Sequence, residues 1–172
     1  MAEIIDLTQE IYDGHPVYHT HQQTVIWKDT THEDTAYMFE KELGEEPPFT
    51  FETNALLLCD HGPTHVDAPL HYKPDGTSIA DMPLERFYTP GKAIDVSHRD
   101  PGEYITVSDL ENACDEAAVS VDAGDTLLVR TGHYDRTYPS REYAENYPGL
   151  NEAATQWLID HEMNVDSHTV ED

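Results

Sequence analysis

The chain has 172 residues, and its 35 acidic side chains against 9 basic ones leave a formal charge of −26. An excess of this size repels phosphate backbones and anionic lipid headgroups, whose binding relies on clustered Lys and Arg, so the composition argues against nucleic-acid and membrane roles. The length suits a single domain over residues 1–172, and 38% hydrophobic residues with ten tyrosines exceed what an acidic disordered tail carries, so the chain is expected to fold around a core.

The acid is spread along the whole chain and only four lysines appear, the pattern of a solvated, salt-adapted surface. A halophilic cytoplasm is expected, since high salt screens the self-repulsion that so large a charge creates. Cys59 and Cys114 lie far apart and form no CxxC pair, and the first ten residues lack the basic and apolar regions of a secretory leader, which fits a reduced compartment. The longest apolar run, residues 55–59, is far shorter than the roughly 20 residues a spanning helix needs.

In chain order, β-type runs predict strands at residues 3–7, 24–27, 51–60, 92–96 and 125–130. Residues 44–48 read as a surface loop inside one domain. Ser108 with Glu111 three positions on forms a capping-box pattern, and predicts a helix running through Asp109, Leu110, Ala113 and Ala117. A second helix is expected after Gly149, its apolar face carrying Leu150, Ala154, Trp157, Leu158 and His161. Strands mixed with helices indicate an α/β or α+β domain.

The densest set of possible ligands follows the third strand run: His61, His65, Asp67 and His71 fall inside eleven residues. Gly62, Pro63 and Pro69 interrupt the segment, which therefore reads as a structured loop rather than a helix. In extended backbone His65 and Asp67 point the same way, and a Gly-Pro turn can fold His61 back beside them. Two imidazoles and a carboxylate suit zinc, manganese or iron, and three protein ligands leave a position open, as in a catalytic rather than a structural site. Cys59, two residues before, is read as a core residue.

The run His61-Gly62-Pro63-Thr64-His65-Val66-Asp67-Ala68-Pro69-Leu70-His71 resembles the HxGTHxDAPxH signature of the metal-dependent cyclase-like hydrolases, which include bacterial kynurenine formamidase and isatin hydrolase. Pro63 stands near the position where that family has Gly. Weaker echoes are Asp6-Leu7-Thr8 followed by Pro16-Val17-Tyr18, Asp95-Val96-Ser97 and Arg130-Thr131-Gly132. The resemblance implies a swivelling β/β/α domain with a mixed sheet or barrel-like core, assembled as a homodimer or larger homo-oligomer. It implies a divalent metal, zinc or manganese, on His61, His65 and Asp67, a small amide as substrate, and proton transfer by His71. An ion lowers the pKa of its water and polarises a carbonyl, and a nearby imidazole has a suitable pKa to accept and return a proton. The alternative for His71 is to orient a ligand.

Family members run on to a further His and a Glu, whereas this chain stops at Asp172 in a Val165-Asp166-Ser167-His168 segment; His168 is the one candidate for the later histidine, and the expectation is of a chain lacking its C-terminal part. His15, His19 and His21 with Tyr12 and Tyr18 either line a pocket for an aromatic ring or lie in a polar surface loop. His133 reads as a surface loop residue, His32, His98 and His161 as surface or packing residues, Trp157 as core, and Trp27 as either core or contact residue.

No GxGxxG, GxxxxGK[ST] or GxSxG occurs, so dinucleotide binding, nucleoside triphosphate chemistry and the α/β-hydrolase nucleophile are not indicated. Two competing readings remain: a facial triad of His65, Asp67 and His133 holding iron in an oxygenase, and a non-catalytic metal-binding relative serving as an interaction module.

Overall fold

The computed structural model describes residues 4–44 and 46–163. The segment containing His168 lies outside the described residues. The fold is mixed α/β, with small open sheets. Strand β1 (Val25–Thr30) is followed by helix α1 (His32–Leu43) and strand β2 (Thr53–Leu57), and β1 pairs antiparallel with β2 in a register that sets Ile26 opposite Leu56 and Trp27 opposite Ala55. Helix α1 is absent from the sequence expectations. Thr31 and Asp34 close a capping box at its start, and Gly44 ends it in the left-handed conformation (φ 71°), but only Thr35 is buried, so the apolar stripe that normally betrays a helix is missing.

The core lies in the second half. Strand β3 (Gly91–Asp95) runs parallel to β5 (Thr126–Arg130), Ile94 opposite Val129, and α3 (Val107–Ala117) makes the crossover and packs on β3. A second parallel pair, β4 (Tyr104–Ile105) with β6 (Gly149–Leu150), leads into α5 (Glu152–Asp160). Ile94, Val96, Ile105, Leu110, Ala113, Cys114, Ala154, Leu158 and Met163 form one buried cluster. On α3 the buried positions 109, 110, 113 and 114 recur at helical spacing; the expected helix shares Asp109, Leu110 and Ala113 with this face, whereas Ala117 is exposed.

Several expectations are corrected. Residues 4–7 form no strand; Ile4 is 92% exposed, and β propensity without a partner strand does not make a strand. The N-cap of α3 is Thr106 rather than Ser108, because Thr106 Oγ1 accepts from the Asp109 amide while the Asp109 carboxylate accepts from the Thr106 amide. Leu150 belongs to β6 and Asn151 caps α5, so the helix starts later than its apolar pattern suggested. His161 ends that helix exposed, while Trp157 packs against the core as expected. Cys59 is only half-buried, its Sγ directed at the Asp60 carboxylate, and Cys114 is the cysteine in the core. Trp27 is about half exposed and outside the core.

The two fragments echoing the family after the ligand loop act as staples between the ends of β3 and β5. Arg130 donates to Asp95 at 2.9 Å and to Asp135 at 2.6 Å. Arg136, on α4 (His133–Thr137), donates to the carbonyls of Ser97, Arg99 and Thr131. Gly132 takes φ 64° there, and a Cβ would meet the Ser97 Cβ at 3.0 Å, so both conformation and space select glycine.

Candidate metal centre

The chain leaves β2 at Leu57 and enters an irregular segment that brings three ligand atoms of His61, His65 and Asp67 within 4.8 Å of one another. Each of the three side chains is at most a quarter exposed. His61 Nδ1 lies 2.6 Å and His65 Nε2 lies 3.3 Å from the same oxygen, Asp67 Oδ1. The anticipated convergence across the Gly62-Pro63 step is therefore present. The loop is not wholly non-helical, however: a single helical turn, α2 (Pro69–Tyr72), closes it, with Pro69 in the first turn, where its missing N–H costs nothing.

That turn delivers two further groups. The His71 ring lies over His61, centroids 3.8 Å apart, and the Tyr72 hydroxyl donates to Asp67 Oδ2 at 3.0 Å. Behind the turn, the Leu70 amide donates to the Thr77 carbonyl, and a Cβ on Gly76 would stand 2.5 to 2.7 Å from backbone atoms of Pro69 and Leu70. Gly76→Ala must therefore push the turn away from its seat. A loss of about 1–3 kcal/mol, the usual cost of overpacking, is expected, and urea denaturation reads it.

The donor set fits a divalent cation. His65 Nδ1 lies 2.7 Å from the Pro63 carbonyl oxygen, which only accepts, so Nδ1 carries a proton and the neutral ring presents its Nε2 lone pair. That lone pair faces a carboxylate oxygen at 3.3 Å, two acceptors directed at one point. Two ligands each about 2.0–2.1 Å from a tetrahedral ion stand about 3.4 Å apart, so this spacing needs little change to hold one. Burial by itself would raise the pKa of the Asp67 carboxyl. The Tyr72 hydrogen bond and the imidazoles of His65, His61 and His71 outweigh it and hold the carboxyl below its usual range, ionised and ready to bind a cation.

Two anchors tie this loop to the body. The Gln9 amide donates to Thr64 Oγ1 at 2.9 Å, and its side chain donates to the Tyr143 hydroxyl at 2.6 Å. Val17 packs near Gly62, and the His21 ring sits 5.7 Å from His61 and 5.5 Å from Tyr18. Beside these anchors opens a cleft of about 490 Å³ lined by Tyr18, His19, Ala144, Glu145, Asn146 and Tyr147.

Of the N-terminal histidines, His15 is buried at 1% exposure against Tyr12 and Tyr138, which overturns a surface position for it, whereas His19 lines the cleft. His133 is likewise buried rather than exposed; it opens α4 and its Nε2 lies 3.1 Å from the Tyr143 carbonyl oxygen. The triad of His65, Asp67 and His133 is not assembled: among the described residues, the one grouping able to hold an ion is His61, His65 and Asp67. Sequence reasoning missed Tyr72 and Gln9. Tyr72 adjoins the motif, but a phenol beside an Asp-containing loop carries no pattern, and the Gln9 contacts span 55 and 134 positions.

Comparison with known proteins gives the family and the fold. Residues 5–171 match the Cyclase family, described as "Putative cyclase". The kynurenine formamidase of Bacillus mycoides is 27% identical over 117 residues, 68% of this chain and 50% of that protein. Isatin hydrolase A from Ralstonia solanacearum superposes with a TM-score of 0.72 at 22% identity, covering 92% of this chain and 63% of that one. Isatin hydrolase A from Labrenzia aggregata bound to benzyl benzoate gives 0.71 at 19% identity, covering 92% and 64%. The chain thus spans about half the length of the curated relatives it matches. The family match covers nearly the whole chain, and the chain therefore belongs to the Cyclase family.

Proposed function

We propose that this chain carries the metal centre of a hydrolase that cleaves a small amide, an aryl formamide such as N-formylkynurenine or a cyclic amide. The observation that carries this reading is the convergence of His61, His65 and Asp67 with the His71 ring laid over His61. A divalent ion held by these three side chains, zinc or manganese, supplies an acidified water and polarisation of the scissile carbonyl. The protein's own part is to hold the donors and to move the proton. His71 is exposed and bordered by the edge of the Tyr72 ring, so its free nitrogen can take a proton from an attacking water and return it to the leaving nitrogen. The cleft beside Tyr18 and Tyr147 supports an aromatic substrate, because phenol rings offer a flat apolar surface with a polar rim. The names of the relatives, kynurenine formamidase and isatin hydrolase, favour the same substrate class.

Two unpaired cysteines support a reducing cytoplasm, and the acid surplus supports work at high salt; assembly as a homodimer or larger homo-oligomer rests on the family resemblance of the ligand loop alone. Among the described residues no helix is long and apolar enough to cross a membrane.

The test is a screen of aryl formamides, cyclic amides and simple esters with zinc- or manganese-loaded protein in molar KCl, wild type beside His71→Ala. Turnover of an aryl amide is expected, with kcat lowered about 100-fold or more in the variant while metal content is unchanged. Full metal occupancy with no turnover of any of these substrates would instead favour a non-catalytic metal-binding relative.

A further inference from the structure

Resting on that reading of the metal centre, we infer that Tyr72 is a positioning residue that fixes the plane of the Asp67 carboxylate and so sets the affinity for the ion. The two carboxylate oxygens are used differently. Oδ1 faces both imidazoles, at 2.6 Å from His61 and 3.3 Å from His65, while Oδ2 accepts the Tyr72 hydroxyl at 3.0 Å. The terminal torsion of an Asp is broad and roughly two-fold, so nothing in the side chain itself selects the rotation that turns one oxygen to the histidines. A hydrogen bond to the other oxygen selects it.

The fold places that donor with care. Tyr72 is the last residue of α2, and the Lys73 amide closes the turn on the Pro69 carbonyl at 3.0 Å. Its ring meets His71 edge-on, centroids 4.5 Å apart, which sets the direction of the hydroxyl. One helical turn therefore orients a ligand through Tyr72 and presents a proton carrier through His71. The chemistry of the donor matters as well. A phenol is neutral, so it steers the carboxylate without cancelling the negative charge that attracts the ion, as a lysine in its place would.

Tyr72 is 72% exposed and contributes little to the core, so Tyr72→Phe removes the hydroxyl while keeping a ring beside His71 and leaving the core undisturbed. The experiment titrates zinc into the metal-free wild type and variant in molar KCl, in competition with a chromophoric chelator, and records the thermal midpoint of both metal-free proteins. The expected result is affinity about 10-fold weaker in the variant, within the range found when a group hydrogen-bonded to a metal ligand is lost, with equal midpoints. Equal zinc affinity in the two proteins would overturn the inference. So would unchanged affinity with a raised KM, since that pattern makes Tyr72 a substrate contact. Failure of the wild type to bind zinc or manganese would bring down the metal centre itself, and Tyr72's role with it.

Discussion

Replacing His65 by alanine is expected to weaken zinc binding by about 100-fold, so that protein purified in molar salt without added metal emerges essentially empty. The magnitude follows from structural zinc sites, in which about 10–16 kcal/mol of binding is shared among four protein ligands, or about 3 kcal/mol for each. His65 is the sharpest choice because its role in the geometry is the most constrained. The Pro63 carbonyl holds its Nδ1, and its Nε2 points at Asp67 Oδ1. His61, by contrast, is also contacted by His71 and His21 and lies 3.8 Å from Asp60, so its substitution would disturb several neighbours at once. Elemental analysis of wild type and variant reads the result, and metal retained in His65→Ala at the wild-type level would refute the assignment.

The second large effect concerns stability. Asp109→Ala is expected to destabilise the fold by about 3 kcal/mol near pH 7, from the lost charge-assisted hydrogen bonds and the broken capping box. The Asp109 carboxylate is 7% exposed and gathers the Arg99 guanidinium at 2.8 Å, His98 Nε2 at 2.9 Å, and the Thr106 amide and hydroxyl at 2.7 and 2.6 Å. It thereby joins the loop after β3 to the start of α3. Burial raises the pKa of this carboxyl, but the Arg99, Thr106 and His98 hydrogen bonds together drive it far below the ordinary carboxylate value. A carboxyl depressed in the folded state contributes stability that is fully present above its unfolded pKa, about 3.9, and is lost as pH falls toward the folded value. The gap between wild type and Asp109→Ala should therefore be constant from pH 7 to about pH 5 and narrow below about pH 4. Urea denaturation at fixed salt measures it, and a gap independent of pH would show that the carboxylate's charge is not what stabilises this corner.

The parts legible in the sequence share one property: their information is local. The ligand loop could be read because His61, His65, Asp67 and His71 are close in sequence and broken by Gly62, Pro63 and Pro69, which dictate a turn. The α3 helix could be read because a capping pattern adjoins Asp109, Leu110 and Ala113 at helical spacing, although the cap itself lies two residues earlier, at Thr106. Helix α1 escaped because it is largely exposed and presents no such face, and the run at residues 4–7 misled because side chains suited to a strand find no strand beside them.

By itself, then, the sequence determined the acidic surface, the mixed α/β class and the loop that gathers His61, His65 and Asp67, since charge, periodicity and motif spacing are properties of neighbouring residues. Only the tertiary structure decided that His15 and His133 are buried among tyrosines, that Gln9 moors the loop to Tyr143, and that Tyr72 holds the second oxygen of Asp67. Burial is decided by which distant segments pack together, and a hydrogen bond of 3.0 Å depends on the angle at which one helical turn leaves its loop. Neither quantity is encoded in the spacing of residues along the chain.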